Sequence, residues 1–541
     1  KLRYIKLYNF IDDNMNVAEV LVKILEDSGV RHIFGHPGEQ ILPMYKALDQ
    51  SGIKHILMRH EQGAVHAADM YARSTGKFSV CISTASPGAL NFIMGVSTAY
   101  KDSVPILVLT GDNPYSERFE NKFQTFDLPG VFSEVTFKNY APSNGKEAVL
   151  ALKNAIYLLN NEPCGPIHIN LPKDILLEED AERYISLDVN ESTYYDYGHM
   201  NLLETLLKSS KKPLILAGTG IIWGGAIELL KDFSKKNNIP VCTTYPARGV
   251  IDEADYINLG MVGMRGTTKS NYAYLNSDLI LVLGSRLSDR TTALTDFDSV
   301  KQKIVHVNID KNVLEGRLKI CGDVFEVLNK LIELDLDAET YKKWLSEINL
   351  HDKKLIIDGV DDDSLPLRPQ AAIKTIYDCI GKSYVLGDAG SHATWAMQCA
   401  KPDKFGRFLY SGALCPMGLG LPGSIGVSIS HPNEKVVVIN GDGGFQMCIQ
   451  ELATIAENNL PIIITVLNNS QLGIIRQWEE QINKDFRYQV DLKNPDFVMI
   501  AKGYGIKSTR VNTILNLKNE LKKAMEFNGP YLIEIDVREE D

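Results

Sequence analysis

Short apolar runs recur along the chain, each bounded by glycine, proline or polar residues and separated from the next by a segment of helical periodicity. Near the N-terminus, residues 79–84 and 106–110 read as strands and residues 17–26 as an amphipathic helix. Further on, 214–217, 279–283 and 304–307 read as strands, and so do 436–439 and 462–467. Apolar runs alternating with helices predict buried parallel strands joined by crossover helices. The alternation lapses in a polar, tyrosine-containing stretch at 188–197 and again before an acidic run at 358–363, both of which read as surface connections. The pattern predicts an α/β protein of three tandem doubly wound domains with mostly parallel sheets, at 15–185, 198–340 and 365–541.

Composition narrows the function without naming it. With 541 residues and 44% of them hydrophobic, the chain has material for several cores. A net charge of -11 argues against general affinity for nucleic acid or anionic membranes, while leaving room for a locally basic pocket. No apolar run approaches the roughly 18 residues of a membrane helix. Residues 1–14 lack the apolar core and cleavage site of a signal peptide, and Met15 offers an internal start. The eight cysteines, Cys164 among them, are scattered without a metal-binding spacing, and read as buried thiols of a reducing cytoplasm.

Candidate chemistry is densest in the last third. A strand runs into Gly441-Asp442-Gly443-Gly444, and a helical pattern follows with Phe445, Ile449, Leu452 and Ile455 on one face. A second strand ends at Asn468-Asn469, 468 − 443 − 1 = 24 residues beyond Gly443. Glycines admit a diphosphate close to the backbone, and a helix start offers N–H groups to an anion. Two parallel strands ending together place those groups where open α/β sheets bind ligands. Asp442 and an asparagine oxygen are hard donors suited to Mg²⁺.

A GDG followed by NN at this distance resembles the signature of thiamine-diphosphate enzymes. The resemblance implies that Asp442, Asn469 and the backbone carbonyl of Gln471 hold Mg²⁺. It places Gly441, Gly443, Gly444, Ser391, His392, Gln471 and Gly473 around the diphosphate, with Met417 under the bend of the cofactor. The segment 59–73, RHEQGAVHAADMYAR, is similar to the RHEQGAAHAADGYAR of acetolactate synthases. In that family the glutamate, here Glu61, hydrogen-bonds the aminopyrimidine ring and promotes loss of the thiazolium proton. A carboxylate flanked by apolar residues suits that proton traffic, because burial favours its neutral form.

The likeness to acetolactate synthase catalytic subunits extends over nearly everything from Met15 onward. Phe445–Thr454 resembles the family's FQMNIQELAT, Arg476-Gln477-Trp478 its RQW and Asn494-Pro495-Asp496-Phe497 its NPDF. It implies that Arg290 binds the carboxylate of a second 2-oxo acid and that Trp478 walls the acceptor pocket. Phe123, Gln124 and Lys173 match further active-site positions. The middle stretch would hold FAD, through Gly218, Gly220, Met264, Arg286 and Asp323. The implied activity is decarboxylation of pyruvate and joining to pyruvate or 2-oxobutyrate, the first step of branched-chain amino-acid synthesis. The family places its glutamate and GDG domains in opposite subunits, which implies a homodimer or tetramer, with a small regulatory subunit as a further partner. Another thiamine-dependent decarboxylase or carboligase, a flavoenzyme resembling pyruvate oxidase, and a silent relative that only binds share parts of the pattern. The Arg476-Gln477-Trp478 segment and Gly284–Arg290, GSRLSDR, which resembles the family's GARFDDR, argue against the oxidase.

The chain departs from the family at Glu39, where GYPGG ends in glycine, and at Thr125, Arg265, Asn308, Ala389 and Ser391. These positions bear on substrate choice and flavin affinity rather than on the thiamine chemistry.

Overall fold

The computed structural model describes residues 14–117, 120–162, 165–188, 195–294, 297–352 and 359–539. Cys164, residues 1–13 and parts of the 188–197 and 358–363 connections lie outside the described residues. The three expected sheets are present, each six-stranded and wholly parallel. The α/β class is therefore as expected. Most of the strands run a little longer than the apolar runs, while Ser79–Ser83 stops one residue short of the expected 79–84 and Leu279–Leu283 matches. Ile106–Asp112 and Ile462–Asn468 each end on polar residues that the ladder still pairs.

By their internal contacts the residues form two compact units. The first takes the described residues up to Asp188 together with Leu421–Pro432 and Cys448–Leu460, two insertions that a contiguous reading of the sequence does not foresee. Its sheet has the order Lys54–Leu57, His32–Gly35, Ser79–Ser83, Ile106–Asp112, Ile167–Pro172, Lys138–Tyr140. The helix Val17–Asp27 starts at a reciprocal cap, with Asn16 accepting from the Glu19 N–H and Glu19 accepting from the Asn16 N–H. It buries Val17, Val20, Leu21, Ile24 and Leu25. At Gly426 a Cβ would lie 1.9 Å from the Ala67 carbonyl oxygen, so only glycine lets this inserted segment cross the helix Glu61–Thr75 in backbone contact.

The second unit holds the other two sheets. One has the order Leu318–Cys321, Ile304–Asn308, Leu279–Leu283, Pro213–Ala217, Val241–Thr243, Asn258–Met261. Numbered along the chain this is the 3-2-1-4-5-6 arrangement of dinucleotide-binding sheets, which reverses direction between Pro213–Ala217 and Leu279–Leu283. The other has the order Phe408–Leu409, Tyr384–Gly387, Val436–Gly441, Ile462–Asn468, Tyr531–Asp536, Lys507–Val511. It repeats the strand order of the first unit's sheet, and its reversal falls between Tyr384–Gly387 and Val436–Gly441.

Two expectations need correction. The helical pattern after the GDG turn is broken: Asp442–Met447 is helical, Cys448 leaves helical angles, and Leu452–Glu457 resumes after a single 3-10 turn. Phe445, Leu452 and Ile455 are buried as expected, but Ile449 is only half-buried. Among the described cysteines, all free, Cys81, Cys242 and Cys448 are buried, whereas Cys321, Cys379, Cys399 and Cys415 are half-buried.

Candidate active site

At the reversal of the C-terminal sheet, Val436–Gly441 and Ile462–Asn468 pair in register with Gly441 opposite Leu467, so both strands end at one edge. Asp442 sits there, buried. Its Oδ1 accepts from the Gly443 N–H at 2.9 Å, and its Oδ2 accepts from the Ser470 N–H at 2.8 Å and from Asn494 Nδ2 at 2.7 Å. Burial still pushes its carboxyl above the ordinary range. Because Asp442 itself holds the first N–H of a six-residue helix, that helix start is not the open row of donors expected from the sequence.

The second strand's loop turns at Ser470, with φ of 58°, and Asn469 Oδ1 accepts from the Gln471 N–H at 3.1 Å. Leu472 N–H bonded to the Val490 carbonyl and Leu492 N–H bonded to the Ser470 carbonyl pin this loop. Ser391 and His392 open the helix Ser391–Cys399, which follows the neighbouring strand Tyr384–Gly387. A Cβ at Gly473 would lie 3.3 Å from Asn469 Nδ2 and 3.9 Å from Ser391 Oγ, and one at Gly441 would lie 3.0 Å from the His392 ring. A Cβ at Gly443 would meet Leu472 at 3.0 Å and Met417 at 3.3 Å. Asp442, Asn469, Gln471, Gly441, Gly443, Gly473, Ser391, His392 and Met417 therefore share one sheet edge. Gly444 joins them through Asp388, whose carboxylate lies 2.9 Å from where its Cβ would be.

This edge fits a diphosphate and a hard cation. Ser391 Oγ, His392 Nε2 and Gln471 Oε1 are buried and meet no hydrogen-bond partner among the described residues. The donors are a carboxylate and amide oxygens, as Mg²⁺ prefers. Burial lowers His392 to about 4, so its ring is neutral near pH 7 and offers a hydrogen bond rather than a charge.

Two residues of this edge were given no role by the sequence. Asp388 ends the strand Tyr384–Gly387 and is buried; it accepts from the Ala389 N–H at 2.6 Å and from the Gly418 N–H at 3.0 Å, and backbone N–H groups of Leu419 and Gly420 also point at it. It thus ties the Met417 loop to the strand edge. Asn494 is the other. The available signals were Asp388's place between Gly387 and Gly390, after an apolar strand, and the NPDF-like segment that Asn494 opens.

In the first unit, Glu61 is the first residue of the helix Glu61–Thr75, entered through His60, whose ring accepts from the Gln62 N–H. Within one protomer Glu61 is half-buried rather than enclosed, and its Oε2 accepts from Asn91 Nδ2 at 2.9 Å. Gly88 comes close, its Cβ position 2.8 Å from Glu61 Oε1. Glu451, reached by the inserted segment, is fully buried beneath this helix start. It accepts from the Arg59 N–H at 3.2 Å, the His60 N–H at 3.0 Å and Thr454 Oγ1 at 3.1 Å, and burial raises it to about 7. Sequence reading gave it no role. Lys173 begins a short helix after the strand Ile167–Pro172 and pairs with Glu39 at 3.2 Å, so the departure at Glu39 supplies its counter-ion. Phe123 is 80% exposed, and Gln124 has φ of 61° with its carbonyl accepting from Ser86 Oγ. Thr125 Oγ1 accepts from Asn113 Nδ2 at 2.8 Å.

At the reversal of the middle sheet, the loops after Pro213–Ala217 and Leu279–Leu283 touch backbone to backbone. Cβ atoms at Gly218 and Gly220 would lie 2.3 Å and 2.6 Å from Gly284, which itself has φ of 62°. Asp323 is the N-cap of the helix Val324–Leu331, accepting from the Phe325 N–H at 2.8 Å. Met264, 56% exposed, donates its N–H to the Arg290 carbonyl, and the Arg290 side chain is exposed, as is that of Arg286. The Arg290 charge acts on Tyr245 and Tyr410. Asn308, in place of the family's acid, donates to the Ser285 carbonyl at 2.8 Å. Trp478 stands 53% exposed on the helix Gly473–Ile482.

Family models match in three places. These are the thiamine pyrophosphate enzyme N-terminal TPP binding domain over residues 15–131, its central domain over 201–331 and its C-terminal TPP binding domain over 388–535. The chain is 37% identical to the probable acetolactate synthase large subunit of Methanocaldococcus jannaschii, over 96% of this chain and 92% of the relative. It is 35% identical to the acetolactate synthase large subunit of Porphyra purpurea, over 95% and 90%, and 36% identical to that of Buchnera aphidicola subsp. Acyrthosiphon pisum, over 96% and 94%. With an Asp442–Asn469 edge that fits diphosphate and metal, and this likeness along nearly its whole length, the chain belongs to the acetolactate synthase large-subunit family of thiamine-diphosphate-dependent enzymes.

Proposed function

We propose that the protein decarboxylates pyruvate and joins the remaining two-carbon unit to a second 2-oxo acid, pyruvate or 2-oxobutyrate, as an acetolactate synthase. The observation that carries the reading is the C-terminal sheet edge, where Asp442, Asn469 and Gln471 lie with Ser391 Oγ and His392 Nε2, both without a hydrogen-bond partner among the described residues. Asp442, Asn469 and the Gln471 carbonyl would hold Mg²⁺. Ser391, His392, Gly441, Gly443, Gly444 and Gly473 would receive the diphosphate, and Met417 would support the cofactor's bend. Thiamine diphosphate, when bound, supplies a nucleophilic carbon and an electron sink for decarboxylation.

Glu61 would hydrogen-bond the cofactor's aminopyrimidine ring and supply the proton that favours its imino form. Arg290 receives the acceptor's carboxylate, with a geometry that takes two oxygens at once. Trp478 shapes the acceptor side, and Phe123, Gln124 and Lys173 complete the substrate surroundings. Glu39 makes Lys173 the less available of the two cations, because its carboxylate already partners the ammonium.

The same reading gives the middle domain FAD, held by Gly218, Gly220, Met264, Arg286 and Asp323. The dinucleotide-type strand order and the glycine-only approach at Gly284 support it. It divides the chain into domains at 15–185, 198–340 and 365–541, assembles it as a homodimer or tetramer with a small regulatory subunit, and places it in the cytoplasm. Among the described residues no helix is long and apolar enough to cross a membrane.

Glu61→Gln tests the mechanism. Product formation from pyruvate should fall about 10²–10⁴-fold while thiamine diphosphate still binds. Turnover within a few-fold of the parent would remove Glu61 from the reaction.

A further inference from the structure

The segment Asn494-Pro495-Asp496-Phe497 matches the family's NPDF, yet the proposed reaction gives it no task. Its last two residues have plain structural work. Asp496 caps the helix Phe497–Gly503 by accepting from the Met499 N–H at 2.8 Å, and Phe497 is buried edge-on against Phe445, ring centres 5.3 Å apart. Asn494 does something else. Its Nδ2 donates both to Asp442 Oδ2 at 2.7 Å and to Asn468 Oδ1 at 2.8 Å, and its Oδ1 accepts from Gln446 Nε2 at 2.9 Å. An amide has two N–H groups, and both are used here on acceptors. Turning the amide over would set its oxygen against two other oxygens, so this network fixes one orientation.

We propose that Asn494 is a positioning residue for the divalent-cation site, orienting the Asp442 carboxylate through Oδ2 and locking the ends of the two strands that present the ligands. The proposal rests on Asp442 as a metal ligand. With Ser470 N–H and Asn494 Nδ2 both on Oδ2, the carboxylate cannot rotate without losing both bonds. The bond to Asn468 extends the lock. Asn468 Oδ1 also accepts from the Ser470 N–H at 3.1 Å, and Asn468 Nδ2 donates to the buried Glu534, which pairs with Arg510 at 3.0 Å. The first asparagine of the NN pair thus braces the loop, while the second's amide lies against Gly473. Losing a partner that orients a metal ligand typically weakens metal binding by about 10–100-fold. An aspartate at 494 would present no donor to either acceptor, and an alanine would release both.

The test is Mn²⁺ binding to the full chain in the presence of thiamine diphosphate, followed by electron paramagnetic resonance, with circular dichroism to verify the fold. Asn494→Ala should raise the Mn²⁺ dissociation constant about 10–100-fold. Gln446→Leu, which removes only the donor that orients the Asn494 amide, should raise it by less and in the same direction. Unchanged Mn²⁺ affinity in folded Asn494→Ala overturns the proposal; where that variant does not fold, unchanged affinity in Gln446→Leu overturns it. Asp442→Ala should abolish Mn²⁺ binding, and retention there would strike the metal-ligand reading itself rather than the role of Asn494.

Discussion

At the scale of single residues, burial decides which charge each group carries. His392 is lowered to about 4, His55 to about 4, and His66 and His168 to about 3, all by desolvation first. In each case the folded state binds its proton less readily than the unfolded chain, whose histidines titrate near 6.5. Stability is therefore complete above about pH 6.5 and is lost as the pH falls toward 4 and below. Urea unfolding followed from pH 8 to pH 4 should show this decline, and His392→Gln should make it shallower. A His392→Gln profile parallel to the parent's would mean that the ring does not enter the fold neutral. Glu451 has the opposite sign. Its folded carboxyl holds a proton up to about 7, against an ordinary value of 4.5, so its contribution to stability falls as the pH rises between those values, by about 3 kcal/mol over the full window. Glu451→Gln keeps an acceptor for the Arg59 and His60 N–H groups and should remove that slope. A slope unchanged in the variant would contradict the assignment.

At the scale of elements, the chain's regular parts were readable and its junctions were not. Apolar runs such as 279–283 located strands because a strand buried on both faces must be apolar throughout. The GDG and NN spacing located the active edge because two parallel strands must end together for one ligand to reach both. Asp388, Asn494 and Glu451 stayed hidden, since each works by accepting or donating bonds to chain that is distant in sequence, Glu451 to residues 59 and 60. A periodic pattern carries no record of such partners. The helical pattern after Asp442 misled for the same reason: the segment breaks at Cys448, just before Glu451 reaches the helix of Glu61. The glycines of the middle sheet were legible as a weak motif, and their backbone contact gives it physical content. Gly218→Ala would force a Cβ to 2.3 Å from the Gly284 oxygen, costing about 1–3 kcal/mol in overpacking and displacing the loop. FAD binding followed by quenching of its fluorescence should weaken strongly in that variant. Undiminished binding would place the flavin elsewhere.

At the scale of the whole molecule, the three parallel sheets and the match over nearly the full chain place the protein in its family. Of its departures from the family pattern, Glu39 meets Lys173, Thr125 meets Asn113 and Asn308 meets the Ser285 carbonyl, so these three replacements have found local partners. Assembly is the next expectation at this scale. Sedimentation should give at least twice the 60.3 kDa of one chain, and full turnover by a species of single-chain mass would contradict the oligomeric reading. The most direct measurement is product analysis with pyruvate alone and with pyruvate plus 2-oxobutyrate, in the presence of thiamine diphosphate, Mg²⁺ and FAD. Acetolactate from the first and its acetohydroxybutyrate homologue from the second, with one carbon dioxide released per product, is the predicted result. Acetaldehyde, hydrogen peroxide or acetyl phosphate in their place would contradict the synthase assignment.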